Sequence, residues 1–243
     1  MSHSVTEAVI PTLGGAVEAA REAGTSCVRT SRPSPANAGL ASSIGPPTPL
    51  SRAIDDVDIA RMEEYALLAA LLARAPEAEM LRRISEIRGD STPLGIAHAA
   101  LAQSAQNTDP EHLDREFFDL FIGVGRGELL PYGSYYLTGF LNERPLARLR
   151  DDLRALGIER AGHLTEPEDH ASILCEIMAG LAGGRLAAAP ESQRALFETH
   201  LAPWIGRFFA DLEAVKKENF YRHVGTVGRL FIDLETKAFA LAF

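Results

Sequence analysis

Cysteine, positive charge and long apolar runs are all in short supply in this sequence. Two cysteines, Cys27 and Cys175, stand far apart among 243 residues, which excludes a disulfide framework and a thiolate metal cluster. No stretch approaches the roughly 18 consecutive apolar residues of a membrane span, and no basic region followed by an apolar core opens the chain. We therefore expect a cytoplasmic protein in a reducing compartment, without stable membrane insertion.

The acidic balance of the chain narrows the classes of partner. The formal net charge is −9 at pH 7, whereas binding to nucleic acid or to anionic lipid needs clustered Lys and Arg. The first 50 residues carry equal numbers of acidic and basic residues, so the acidic excess lies wholly in the remainder. We expect no nucleic-acid partner, and a basic ligand fits the chain better.

Two regions differ sharply in composition. Residues 1–53 are rich in Ala, Gly, Ser, Pro and Thr, and the stretch 34–51 has no charged residue and few large apolar ones. Such a composition cannot offset the entropy lost on ordering, so this region is predicted to be a flexible, disordered arm. Residues 54–243 are predicted to form one helical domain, because apolar residues recur there at three- and four-residue spacing.

Caps and helix-breaking residues divide the helical domain. Asp109 precedes Pro110, a combination typical of a helix start, and Pro203 must break or kink the apolar stripe around it. Thr165 and Glu168 have the spacing of a capping box and predict a helix from residue 166 onward. The predicted helices span 58–74, 77–87, a third that starts at Thr92-Pro93 and runs to residue 105, 109–123, 142–156, 166–182, 191–215 with a break at Pro203, and 218–241.

The densest group of polar side chains includes His163, Glu166, Asp169 and His170. These residue types serve as metal ligands or as a catalytic acid and base, so a metal-dependent hydrolase is one hypothesis. A second group of ligands, with His-Glu-x-x-His or comparable spacing, is missing from the neighbouring sequence. In the alternative interpretation the acidic residues cap a helix and His170 is buried with a hydrogen-bond partner.

A loop rich in aromatic hydroxyl groups lies upstream of that cluster. Tyr132, Ser134 and Tyr136 stand among apolar residues and glycine in the stretch 129–136. Such a mixture suits a surface that holds an apolar peptide and forms hydrogen bonds with its backbone. A turn that plugs the core explains the same composition equally well.

Four segments together resemble one family. They are Pro-Tyr-Gly-Ser-Tyr-Tyr at 131–136, Glu-Arg-Pro-Leu at 143–146 followed by Leu149 and Arg150, Glu-Pro-Glu-Asp-His at 166–170, and His-Leu-Ala-Pro-Trp at 200–204. In order and spacing, over about residues 57–243, they resemble the TorD/DmsD/NarJ chaperones of molybdoenzyme maturation. The Glu-Pro-x-Asp-His element is the most specific of the four, and the N-terminal arm is longer than the family pattern requires.

The resemblance implies an all-α, compact multi-helix bundle that binds a client and has neither catalytic activity nor a cofactor. The client would be the apo form of a molybdenum-cofactor oxidoreductase or its twin-arginine signal peptide, held in the cytoplasm until cofactor insertion and export. A monomer and a homodimer both fit, and the identity of the client enzyme stays open. Carried over residue by residue, the client site comprises Tyr132, Ser134, Tyr136, Glu166, Pro167, Asp169, His170, His200 and Trp204.

Three functions therefore remain open, and the chaperone leads. A signal peptide presents an arginine pair followed by an apolar run, which requires carboxylates beside an apolar groove and accounts for the acidic composition. The hydrolase built on the His163 cluster is the second hypothesis. The third is a helical scaffold whose motifs only stabilise the fold, since a shared fold does not establish a shared function.

Overall fold

The computed structural model describes residues 28–30, 54–160, 166–216 and 220–241. Almost every regular element in these ranges is a helix, which confirms the predicted all-α class. No helix within the described ranges is long and apolar enough to cross a membrane. In chain order the elements are β1 Val28–Thr30, α1 Asp56–Ala73, α2 Ala78–Ser85, α3 Pro93–Asn107, α4 Pro110–Phe117, a π-helical turn Phe118–Ile122, α5 Gly133–Thr138, α6 Arg144–Ala155, β2 Ile158–Arg160, α7 Ala171–Ala182, α8 Pro190–Leu196, a second π-helical turn Phe197–Leu201, α9 Ile205–Glu213 and α10 Phe220–Leu241.

Helix starts that carry a local capping signal lie where the sequence places them. The Asp109 side chain accepts a hydrogen bond from the His112 amide, and Pro110 occupies the first turn of α4. The Thr92 hydroxyl caps α3 in the same way through the Gly95 amide. Both caps satisfy amides that have no partner within the helix, so these boundaries needed no tertiary information.

One predicted helix start is wrong. Helix α7 begins at Ala171 and not at residue 166, and His170 is its N-cap. Residues 166–170 are non-helical and form a bridge to a distant segment. The proposed capping box begins at Thr165, which lies outside the described residues, as does His163.

The predicted break at Pro203 is confirmed. Helix α8 ends at Leu196, a π-helical turn follows, and α9 restarts at Ile205. Proline has no amide hydrogen and its ring clashes with the preceding turn, so the apolar stripe continues as two separate helices. The two π-helical turns themselves had no recognised sequence signal.

Helix packing builds the core in two connected halves. Helix α1 packs along α7, and α10 packs against α9 and α3. Their facing sides supply large side chains with almost no exposed surface: Tyr65, Leu67, Leu71, Leu174, Ile177, Phe208, Phe209, Tyr221 and Phe231. Burying such a side chain stabilises the fold by roughly 1.5–3 kcal/mol relative to leaving it in water. The predicted apolar stripes therefore face one another across the bundle.

An ion pair between the buried Glu235 and the partly buried Arg61 ties α1 to α10. Arg61 donates from Nε and Nη2 to the two carboxylate oxygens of Glu235, both at 2.7 Å. The Tyr65 hydroxyl donates to the same carboxylate at 2.9 Å. The bidentate geometry satisfies the charges that burial removes from water, so this network fixes the register of the two longest helices.

A short strand pairing lies at the edge of the bundle. β1 and β2 are antiparallel, with Val28 opposite Arg160 and Thr30 opposite Ile158. β1 is the only part of residues 1–53 that falls within the described ranges. The prediction of a flexible arm for the rest of that region lies outside the described residues.

Candidate functional site

Two sequence-distant segments meet at the predicted client site. Tyr132 and His170 form an antiparallel bridge, because the Gly133 amide donates to the Asp169 carbonyl at 2.9 Å and the Ala171 amide donates to the Pro131 carbonyl at 2.8 Å. The loop before α5 and the segment before α7 are thus held together through their backbones. The two most specific motifs of the sequence form one structural unit.

Asp169 is the central polar residue of this unit. Its side chain is 3% exposed, and Oδ2 accepts a hydrogen bond of 2.7 Å from the Ser134 amide. That amide lies in the first turn of α5, where no intrahelical acceptor exists. Within the described part of the chain, Asp169 Oδ1 and Ser134 Oγ have no hydrogen-bond partner. Asp169 therefore caps α5 from a segment 35 residues further along the chain.

His170 is buried and electrically neutral. Its Nδ1 accepts from the Ser172 amide at 3.2 Å and lies 2.7 Å from the Ser172 hydroxyl. Burial lowers the pKa of His170 to about 4, and an Nδ1 that accepts from an amide places the ring proton on Nε2. The ring packs edge-on against Tyr132, with centroids 5.0 Å apart. His170 therefore caps α7 and supports Tyr132.

The two tyrosines predicted for the site each hold a carboxylate. The Tyr132 hydroxyl donates to Glu166 Oε2 at 2.5 Å, and the Tyr136 hydroxyl donates to Asp211 Oδ2 at 3.0 Å. Burial, followed by these hydrogen bonds, raises the pKa of both phenols, so both remain protonated donors. Glu166 is exposed and Asp211 partly exposed. Two carboxylates thus flank α5 in fixed positions.

Trp204 forms the floor beneath the loop. A Cβ added to Gly133 would lie only 3.0 Å from Trp204 Nε1, so glycine permits the close approach. The indole N–H donates to the His200 carbonyl at 2.7 Å, and the Tyr136 ring centroid lies 5.6 Å from that of Trp204. His200 Nε2 in turn lies 2.7 Å from Asp152 Oδ2 on α6. Trp204 and His200 act beneath the surface, as structural support.

Arginines from the neighbouring elements hold the 166–170 segment from the other side. Arg150 donates to Glu168 Oε2 at 2.8 Å. Arg160, at the end of β2, donates to the Glu166 carbonyl at 3.1 Å, and its Nε lies 3.7 Å from Glu168 Oε1. Glu168 is therefore committed to structural ion pairs, and Glu166 is the carboxylate of this segment that faces solvent.

An apolar turn that the sequence analysis did not select follows α5. Leu137, Phe140 and Leu141 are exposed, and Phe140 is 69% exposed. The Thr138 hydroxyl donates to the Ser134 carbonyl at 2.8 Å and accepts from the Phe140 amide at 3.2 Å, so the turn has a defined conformation. The glycine at 139, with φ +84°, is the one sequence signal that marks this turn. Asp211 had no such signal.

The hydrolase hypothesis finds no support in this geometry. Among the residues that the structure describes, no group of three or more His, Cys, Asp or Glu side chains could hold a metal ion. Asp169 Oδ2 is occupied by the Ser134 amide, and His170 Nδ1 by Ser172. Cys175 is fully buried in α7, and burial raises the pKa of its thiol, so it is protonated and inert.

Comparison with known proteins identifies the family. The model of a family described as nitrate reductase delta subunit matches residues 88–210, which is half of the chain. The chain belongs to this family. The matched range contains all three segments of the site, 131–136, 166–170 and 200–204, and the sequence-based resemblance is confirmed. The matched range does not include the N-terminal arm, residues 1–53.

Two curated relatives and one solved structure are similar to the chain. The chain is 29% identical over 164 residues to chaperone protein TorD of Vibrio cholerae, covering 64% of this chain and 70% of that protein. It is 26% identical over 204 residues to chaperone protein TorD of Aliivibrio fischeri, covering 74% and 94%. A crystal structure of a candidate redox enzyme maturation protein from Archaeoglobus fulgidus matches with a TM-score of 0.47 and 21% identity, over 71% of this chain and 93% of the other.

Proposed function

We propose that this family member is a cytoplasmic chaperone that binds the twin-arginine signal peptide, or the apo form, of a molybdenum-cofactor oxidoreductase before cofactor insertion and export. The family and the curated TorD relatives support a role in molybdoenzyme maturation. Binding of this kind needs a surface and no reacting group, so the proposal assigns no catalytic residue and no cofactor.

The observation that carries the proposal is the pairing of acidic and apolar surface at the two ends of α5. Tyr132 holds the exposed Glu166 carboxylate at the start of this helix, and Phe140 lies just beyond its end. Six helical residues separate the two ends by about 9 Å at 1.5 Å per residue. An arginine followed by an apolar side chain a few residues later spans such a distance. The arrangement thus matches the chemistry of a twin-arginine leader.

The buried residues of the site supply the rigidity that such recognition needs. Asp169, His170 and Trp204 are all buried and hydrogen-bonded to backbone groups. They fix Tyr132 and helix α5, which carries Tyr136, so the two carboxylates that these tyrosines hold lose little side-chain freedom on binding. In this proposal the motif residues position the surface, while Glu166, Asp211 and Phe140 contact the client.

Binding of a synthetic leader peptide, followed by fluorescence anisotropy, tests the proposal. The Phe140→Ser substitution should raise Kd about tenfold or more, because burying a phenylalanine contributes roughly 1.5–3 kcal/mol and 1.4 kcal/mol is tenfold. Ile96→Ser is the matched control, since Ile96 is 60% exposed on α3 and α3 packs on α2 and α10, away from the site. Glu166→Gln should weaken binding and reduce its salt dependence.

A pull-down from the native cytoplasm distinguishes leader from enzyme body. The full chain, tagged at its C-terminus, should recover a molybdoenzyme precursor, and deletion of the leader should abolish recovery. Recovery that survives this deletion would move the contact to the enzyme body. Equal affinities of the Phe140→Ser and Ile96→Ser variants for the leader peptide would refute the proposed surface.

A further inference from the structure

The strand β2 is a place where the bundle accepts a peptide backbone from outside its own helices. β2 follows α6 and contains only three residues, Ile158–Arg160. Its partner β1 comes from a region about 130 residues earlier in the chain, beyond the helical domain. A strand edge offers its amides and carbonyls to any extended segment of suitable register. β2 thus already has the property of a strand-addition site.

This strand leads directly to the candidate client site. The Arg160 side chain, at the end of β2, donates to the Glu166 carbonyl and lies near Glu168. Because the pairing is antiparallel, Val28 is opposite Arg160 while Thr30 is opposite Ile158. A peptide on this edge therefore has its N-terminal side at the Arg160 end, next to the segment 166–170.

The segment bound there resembles the proposed client in its chemistry. Arg29 stands opposite Glu159 in the register, and Arg32 follows shortly after it. Residues 33–51 then contain no charged residue. Arg29 and Arg32 carry the same positive charge as the arginine pair of a twin-arginine leader, but the stretch after them has few large apolar residues. The arm and the client therefore share the arginine charge that the acidic surface attracts, and the apolar run belongs to the client alone.

We propose that the edge of β2 is a strand-addition site for an extended, arginine-containing peptide, and that Val28–Thr30 occupies this site in cis as a competitor of the client leader. This inference rests on the proposed function for the identity of the competing ligand. A competitor tethered in the same chain leaves the site open in only a fraction of the molecules. The apparent affinity for the leader is the intrinsic affinity multiplied by that fraction. Release of β1 should therefore strengthen leader binding on the order of tenfold.

Proline substitutions in the full chain test the pairing without removing any domain. The double variant Val28→Pro, Arg29→Pro removes two consecutive amides, so one ladder hydrogen bond is lost whichever residue faces β2. Ser42→Pro is the control, because it lies in the same arm and outside β1. Hydrogen exchange at Ile158–Arg160 should accelerate in the double variant and not in the control. A synthetic peptide of residues 24–34 should bind the double variant and not the wild-type chain.

The outcomes separate this inference from the proposed function. Unchanged exchange at β2 in the double variant, or failure of the 24–34 peptide to bind it, would overturn the strand-addition site. A leader that binds the wild type and the double variant equally well would overturn the competition. If the 24–34 peptide binds the double variant while the leader peptide binds neither protein, the strand-addition site stands and the leader-binding function fails.

Discussion

The Asp169→Ala substitution is the most direct test of how this site is built. It removes the acceptor of the Ser134 amide and leaves the backbone bridge between Tyr132 and His170 chemically intact. The Ser134 amide then has no acceptor in the first turn of α5. We therefore expect the loop of the site to loosen while the helices keep their packing.

The magnitude follows from burial and hydrogen bonding. A buried donor left without a partner costs about 1–3 kcal/mol. Part of that cost is offset because the substitution also removes Asp169 Oδ1, which is buried without a partner in the described part of the chain. We expect a net loss of about 2 kcal/mol. Asp169→Asn keeps an oxygen acceptor and should cost about half as much, since the bond is no longer charge-assisted.

The sole tryptophan of the chain allows urea unfolding to be followed by fluorescence, which reports on the site as well as on the whole fold. Trp204 is buried beneath Gly133, so its emission reports on the site and shifts to the red on unfolding. With a urea slope of about 2–3 kcal/mol/M, the midpoint of Asp169→Ala should fall by about 1 M or slightly less. Circular dichroism at zero urea should remain that of the wild type.

An exposed aspartate provides the matched control. Asp151 lies on α6, is exposed and forms a surface ion pair with Arg154, which contributes about 0–1 kcal/mol. Its replacement by Ala should leave the midpoint nearly unchanged. If Asp169→Ala unfolded at the same urea concentration as Asp151→Ala, Asp169 would not be the cap that holds α5.

Two further predictions concern stability. The His98→Gln variant tests a buried pair, since His98 Nε2 lies 3.0 Å from Glu64 Oε2 and the carboxylate raises the pKa of His98 against the opposing effect of burial. A raised pKa in the folded state means that protonation contributes stability fully below the unfolded value near 6.5, and this contribution is lost as pH rises through the folded value. The difference in unfolding free energy between wild type and His98→Gln should thus shrink from pH 6 to pH 8, and a constant difference would contradict the pairing. Gly133→Ala should destabilise by about 1–3 kcal/mol and change Trp204 emission, because the new methyl group meets the indole nitrogen; unchanged emission and midpoint would show that the loop can move away.

Local signals in the sequence predicted much of the fold. The cap at Asp109 and the break at Pro203 depend on interactions within one turn of the chain, and both lie where they were expected. The apolar stripes of the last helix and of 166–182 face the core because helical spacing alone decides which residues share a face. Caps, proline breaks and apolar stripes depend on neighbouring residues, so they do not depend on how the helices pack.

The start of α7 shows where local reasoning failed. The spacing of Thr165 and Glu168 favours a capping box, yet the amides of 170–171 form hydrogen bonds with Pro167 and Pro131 instead, and His170 provides the cap. The choice between two caps was made by a segment some 35 residues away, and no local pattern encodes that contact. Tertiary hydrogen bonds overrode the local preference for a helix start at residue 166.

The candidate site shows the same division between what local sequence signals determine and what tertiary contacts determine. The sequence by itself determined the helical class, the main breaks and the motif residues, because periodicity, proline geometry and motif spacing are properties of neighbouring residues. Only the tertiary structure decided that Asp169 caps α5, that Trp204 supports Gly133, and that Tyr132, at the start of the helix that precedes the exposed turn at Phe140, holds Glu166. These contacts join residues far apart in the chain, and burial selects among them only once the helices have packed.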